Sequence, residues 1–376
     1  MSENGTADDR PVDRDAGAAG LRIAPGCYAA GDGLLDRLDG YLGERPDLSR
    51  ATVLAGESAF SAARDGIERS LDAAGVEFGL VPFEGECSVE RVESYRDRLE
   101  AEDPDLLLGV GGGKALDTAK LVAEGHCPVA TVPTVASTCA AWTALSVLYE
   151  EDGSYAGPVG LSRCPDWVFL DTRIVAEAPA RLLASGVMDA TAKYFETTHI
   201  PPGATNETAR WGTALAGESC HARLREDGLE AVELCARNEL TGTVSDVVEA
   251  SVAGPGVTAG LLGEQPHLLL GHLLAYSLLD YDGVKGRSYH GERVAFGVLV
   301  FELLAGEDPD AVSELKAWYE ALGIELTLER LGVRDADGRM VTDLAAEIDR
   351  KANYDLVAEA FTHEEISDAI AAVEAM

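Results

Sequence analysis

None of the seven cysteines in this 376-residue chain forms a CxxC pair, which argues against zinc ribbons and dithiol redox motifs. An odd, scattered set suits a reducing cytoplasm. No apolar run approaches the roughly 18–20 residues that would span a bilayer. The first twenty residues lack the apolar segment of a secretory signal. A GxSxG elbow is missing, and no Ser/His/Asp or Cys/His set suggests a nucleophilic enzyme. Positive charge is scarce: 30 basic residues face 66 acidic ones, and only six of the bases are lysine. A net charge of −36 repels phosphate backbones and anionic lipid, so neither nucleic acid nor membrane is an expected partner. Such self-repulsion is screened when the Debye length falls to roughly 3 Å in molar salt, so a salt-rich cytoplasm is expected.

A hydrophobic content of 46% is ample for packed cores, and the length suggests two domains. Residues 1–20 read as a disordered acidic tail. Strand-like and helix-like segments then alternate to about residue 172, predicting a parallel sheet covered by helices. The strands are ATVLAG (51–56), VEFGLVPF (76–83), LLLGV (106–110), VATVPT (129–134) and WVFLD (167–171). Ser88 reads as the N-cap of a polar helix over 88–102. ALSVLY with the following Asp152-Gly153 predicts a hairpin. After Asp171 helical spacing takes over. The expected architecture is a dinucleotide-binding α/β domain over 21–172 and a helical, metal-binding domain over 173–376.

A glycine-rich turn, Gly109 to Lys114, stands between the LLLGV strand and a helix. Glycine permits close backbone approach, and a helix N-terminus favours an anion. The spacing matches neither a Walker A loop nor a complete GxGxxG, and a dinucleotide pyrophosphate is the natural ligand. Glu57, at the end of the ATVLAG strand, can accept from a ribose hydroxyl or be a plain surface acid.

Three residues form a candidate metal set. Asp189 sits in the apolar stretch GVMDATAKYF, His272 in LLLGHLLAYSLL, and His290 at a loop-to-helix junction. A buried carboxylate needs a partner, and two histidines with one carboxylate suit Zn²⁺ or Fe²⁺ with an open position. His267 is the substitute for His272; His126, His199, His221 and His363 read as surface residues. A cation held there would lower the pKa of a substrate hydroxyl, and hydride would pass from the resulting alkoxide to a nicotinamide.

Five segments carry a resemblance: PFEGECS (82–88), GVGGGKALDTAK (109–120), VPTVASTCAAWTALSVLY (132–149), FLDTRIVAEAPARLLASGVMDATAKYFE (169–196) and YHGERVAFG (289–297). In this order they resemble the iron-containing alcohol dehydrogenase superfamily, within it the glycerol dehydrogenase branch. The resemblance implies a Rossmann-like domain plus an all-helical domain, the fold shared with dehydroquinate synthases, with the active site in the cleft. It implies dinucleotide contacts at Gly113, Lys114, Ala115, Leu116, Asp117, Thr134, Ser137, Thr143, Leu145 and Tyr149. Glu57 falls where the family carries an acid for the ribose, tilting the cofactor to NAD over NADP. The implied metal ligands are Asp189, His272 and His290, with zinc the usual metal of the branch and homo-oligomers the usual assembly. Many iron-using relatives have a further histidine one turn after the aspartate, where this chain has Lys193.

Substrate is where the chain departs. The branch commonly has an aspartate after the Ser-Thr of the loop over 132–149, and here Cys139 follows. Cys139 and Trp142 are the candidate substrate residues. TCAAW resembles a sister group acting on 2-hydroxy or 2-oxo carboxylates, so such a substrate stands as the alternative to a polyol. From other classes, a non-catalytic dinucleotide-binding protein and a non-haem iron oxygenase remain open; the second leaves the glycine loop without a role.

Overall fold

The computed structural model describes residues 20–45, 47–199, 207–263, 270–334, 338–351 and 360–376. The expected tail lies almost wholly, and His267 entirely, outside the described residues. Six strands form one parallel sheet: β1 (Cys27–Gly31), β2 (Arg50–Ala55), β3 (Glu77–Pro82), β4 (Leu106–Gly111), β5 (Val129–Pro133) and β8 (Trp167–Asp171). Their order is β1-β8-β5-β4-β2-β3. β6 (Leu145–Tyr149) and β7 (Tyr155–Gly160) form the expected antiparallel hairpin, its turn eased by Gly153 at φ 84°.

Helices α1 (Asp39–Leu42), α2 (Glu57–Ala74), α3 (Val89–Glu102) and α4 (Gly113–Ala123) alternate with the strands. Ser88 caps α3, its Oγ accepting from Arg91 N at 3.2 Å. β4 is buried along its whole length, as a central parallel strand must be. Val53, Leu108 and Phe169 pack in the core on one face of the sheet, and Leu54, Leu107 and Val129 in that on the other. β1 is a strand that the pattern does not reveal. CYAAG has no apolar alternation, and its pairing with β8, Tyr28 opposite Val168, is what makes it extended.

Beyond β8, every described element is helical. α5 (Thr172–Glu177), α6 (Ala180–Thr198), α7 (Glu207–Ala236), α8 (Gly242–Leu262), α9 (Leu270–Ser277) and α10 (His290–Leu304) come first. α11 (Pro309–Ala321), α12 (Leu328–Leu331), α13 (Gly338–Lys351) and α14 (His363–Ala375) close the chain. The fold is thus an α/β Rossmann-like unit followed by a helical one. No described helix is long and apolar enough to cross a membrane. All seven cysteines are free.

Two glycines permit close approaches, one between the units and one between two helices of the second unit. A Cβ on Gly186 of α6 would stand 1.6 Å from Ala136 O, so only glycine lets α6 lie against the loop after β5. A Cβ on Gly291 of α10 would stand 1.8 Å from Ser185 O, and Gly291 N donates to Ser185 Oγ at 3.0 Å. Each glycine sits within one helical turn of a candidate metal ligand.

Candidate active site

The cleft between the units holds a cavity of about 1370 Å³. That exceeds the roughly 300–1,000 Å³ of a single small-ligand pocket, leaving room for a dinucleotide beside a second small molecule. It opens at the carboxyl ends of β2 and β4, where the strand order turns, the expected ligand crevice of an open α/β sheet.

The first wall is backbone. Gly112 is the extended N-cap of α4 and offers no side-chain cap, so the helix's first N–H groups face the cavity unclaimed. A Cβ on Gly113 would press within 3.2 Å of Thr138 Oγ1, across ground a pyrophosphate would cover. Lys114 leans over the Tyr149 ring, 5.5 Å from its centroid, and pairs with Glu86 at 2.5 Å.

Asp117 faces the other way in part. Its Oδ1 lies 2.9 Å from Lys120 Nζ, and its Oδ2 accepts from Val147 N at 3.1 Å. Lys120, almost wholly buried, also donates to the carbonyls of Thr143 and Leu145. This pair fastens the hairpin to α4, and burial pushes the Asp117 carboxyl up.

The second wall is made of side chains. Asp189 Oδ1 stands 3.3 Å from His272 Nε2 and 3.3 Å from His290 Nε2. One ligand atom from each of the three lies within 4.8 Å of the others. Burial alone would raise the Asp189 carboxyl, but the two imidazoles hold it well below the usual carboxylate range. Burial is the strongest influence on His272 and opposes its charge, yet Glu196 and Asp189 together leave that pKa raised. Burial lowers the pKa of His290.

The donor set fits a cation on its own chemistry. Glu196 Oε1 lies 2.7 Å from His272 Nδ1, so a neutral His272 donates there and carries its lone pair on Nε2. That lone pair meets the Asp189 Oδ1 lone pairs, and Asp189 Oδ1 is buried without a hydrogen bond. Two acceptors face each other, an arrangement a divalent cation between them would satisfy.

The structure does not gather every expected residue. Gly113, Lys114, Ala115, Asp117, Ser137, Thr143, Leu145, Tyr149 and Cys139 line the cavity with the metal set. Glu57, Leu116, Thr134 and Trp142 are not among its lining residues. Glu57 is an exposed first residue of α2, while its neighbours Gly56 and Ser58 reach the wall. Leu116 is core. Trp142 is the clearest correction: it is buried against Tyr28 and Gly256 and donates to Ile23 O at 2.9 Å, a packing residue rather than a substrate contact. His221 is not a simple surface residue either. It stacks on Tyr194 at 4.2 Å, and burial lowers it to about 4.

Sequence reasoning missed Glu196, Tyr276 and Arg293. Glu196 follows Asp189 by seven residues, two turns on the same helical face, a spacing that was readable. Tyr276, which lines the cavity and stacks on Tyr155 of the hairpin at 4.0 Å, left no such trace.

Comparisons with known proteins bear on this geometry. Residues 25–172 match the family described as Iron-containing alcohol dehydrogenase. The chain is 34% identical over 332 residues to a glycerol dehydrogenase of Escherichia coli O6:H1, covering 86% of this chain and 88% of that protein. It is 33% identical over 304 residues to a glycolaldehyde reductase of Halobacterium salinarum, covering 79% and 81%. Its fold matches a crystal structure of glycerol dehydrogenase from Schizosaccharomyces pombe with a TM-score of 0.84 at 26% identity, over 94% of this chain and 90% of that one.

Proposed function

The chain belongs to the iron-containing alcohol dehydrogenase family, and on that footing we propose that it oxidises a small hydroxy compound with NAD as hydride acceptor. The observation that carries this is the facing of two walls across one cavity: free helix-start N–H groups opposite Asp189, His272 and His290. Asp189, His272 and His290 would hold one divalent metal, with Glu196 fixing the His272 tautomer. Held by these three residues, a divalent metal would supply the Lewis acid that lowers the pKa of a substrate hydroxyl. NAD held at the start of α4 would supply the hydride acceptor. The chain's own work is placement. The α4 N-terminus receives the pyrophosphate, and the Tyr155–Tyr276 stack closes the cleft beside the metal set.

Zinc is the metal we favour, since Lys193 stands where a fourth nitrogen ligand would be; the family's name points to iron. Glycerol with NAD, and glycolaldehyde with NADH in the reverse direction, both named for the relatives, are the first compounds to try. The acidic surface supports a medium of high ionic strength and no nucleic-acid partner. We also propose a homo-oligomer, which sedimentation would test.

The test is nicotinamide reduction at 340 nm in molar KCl, on protein reconstituted with Zn²⁺ or Fe²⁺, alongside elemental analysis. Turnover that follows metal content is expected, rising from low to molar KCl. A protein that takes up neither metal and turns over nothing would leave dinucleotide binding alone as the function.

A further inference from the structure

Positive charge is rationed in this chain, and the cleft receives a disproportionate share of it. Three of the six lysines, Lys114, Lys193 and Lys285, line the cavity, with Arg293. Two of these are spoken for at the outer part of the cleft: Lys114 pairs with Glu86 at 2.5 Å, and Lys285 with Asp152 at 3.5 Å. Lys193 and Arg293 are different. They lie close to the candidate metal set, one turn after Asp189 on α6 and three residues after His290 on α10. The Lys193 side chain is only 13% exposed. Its Nζ approaches Glu196 Oε2 at 3.5 Å, longer than an ordinary hydrogen bond, and no other described residue takes a bond from it. Arg293 is buried, and its hydrogen-bond partners among the described residues are neutral oxygens, the carbonyls of Ala275 and Ser288 and the Ser288 hydroxyl.

Asp189 and Glu196 balance Lys193 and Arg293, so a divalent cation leaves the inner cavity doubly positive. Loss of one proton from a bound hydroxyl still leaves it positive. The wall beside Lys193 adds no negative charge, because Cys139 there is a neutral thiol, pushed up to about 11 by burial. A buried site with unspent positive charge is stabilised by an anion.

We infer that Lys193 is a substrate contact that selects hydroxy compounds bearing an anionic group next to the reacting carbon. This rests on the dehydrogenase reading above and names its substrate class. Carboxylate and phosphate share this chemistry. Lys193 follows Asp189 by one turn on α6, and side chains four residues apart on a helix are neighbours, about 5–6 Å between Cβ atoms, which favours a group one bond from the carbinol, as in a 2-hydroxy acid.

The test compares D,L-glycerate, glycerol phosphate and glycerol as substrates of the metal-loaded enzyme, wild type against Lys193→Met and Lys193→Arg. Calorimetry of glycerate binding without NAD runs in parallel. Expected is a wild-type preference for glycerate over glycerol. Lys193→Met should cut that selectivity about 30-fold, mostly through KM, and Lys193→Arg should restore part of it. A preference for glycerol phosphate would keep the anion contact and change its source. Proportional loss on charged and uncharged substrates, with weaker metal binding, would overturn the proposal and leave Lys193 acting through Glu196 and His272. If no hydroxy compound reduces NAD, the dehydrogenase reading falls instead, and glycerate binding by calorimetry still decides the subsite.

Discussion

One wall of the cleft presents backbone and the other presents side chains. On the α/β side, the ligand-facing groups are consecutive N–H donors at the start of α4, supplied by whatever residues adopt that turn. On the helical side, a carboxylate and two imidazoles come from α6, α9 and α10, and none of them can be replaced without changing the chemistry. The first arrangement is local and tolerant. The second depends on helix crossings set by glycines far from one another in sequence, and is therefore exacting.

Substitutions test that contrast. The largest effect is expected for Asp189→Asn, which removes the only anionic donor of the set. Turnover should fall about 10³-fold and metal should be lost, read by steady-state rates and elemental analysis. Retained metal and rate would mean that the three residues do not act together. Gly186→Ala puts a methyl into the Ala136 carbonyl and should cost about 3 kcal/mol of stability, measured by denaturant titration. A neutral result would show that the crossing gives way more easily than its geometry implies. Glu196→Gln keeps the size of the side chain but weakens the hydrogen bond from His272 Nδ1. Metal affinity, followed by chelator competition, should drop about 10- to 100-fold. The smallest change belongs to the backbone wall. Lys114→Ala leaves the helix-start N–H groups in place and should raise KM for NAD only about tenfold. A collapse as deep as that of Asp189→Asn would erase the distinction between the walls.

The α/β half was the more legible. Runs such as LLLGV and WVFLD are short, apolar and bounded by turn residues, and they fold as the strands they suggest. The Asp-Gly hairpin and the Ser88 cap followed from local backbone chemistry. β1 escaped because its extension comes from a partner strand some 140 residues later. Trp142 misled for a related reason. A large aromatic beside a candidate loop invites a pocket role, and only its neighbours Tyr28, Gly256 and Ile23, distant in sequence, show it to be packing. Lys120 passed unnoticed as well, since nothing in the order of residues says that an i,i+3 pair with Asp117 is buried.

By itself the sequence determined the alternation that makes a parallel sheet, the glycine turn at a helix start, and the identity of three residues able to ligate a metal. These depend on local preference and on side-chain chemistry, which each residue carries with it. The tertiary structure decided that Asp189, His272 and His290 meet, that Glu196 orients one of them, and that Lys193 and Arg293 stand close to them. Convergence of that kind is settled by how closely α6, α9 and α10 can pack, a property of the whole fold that no single segment contains.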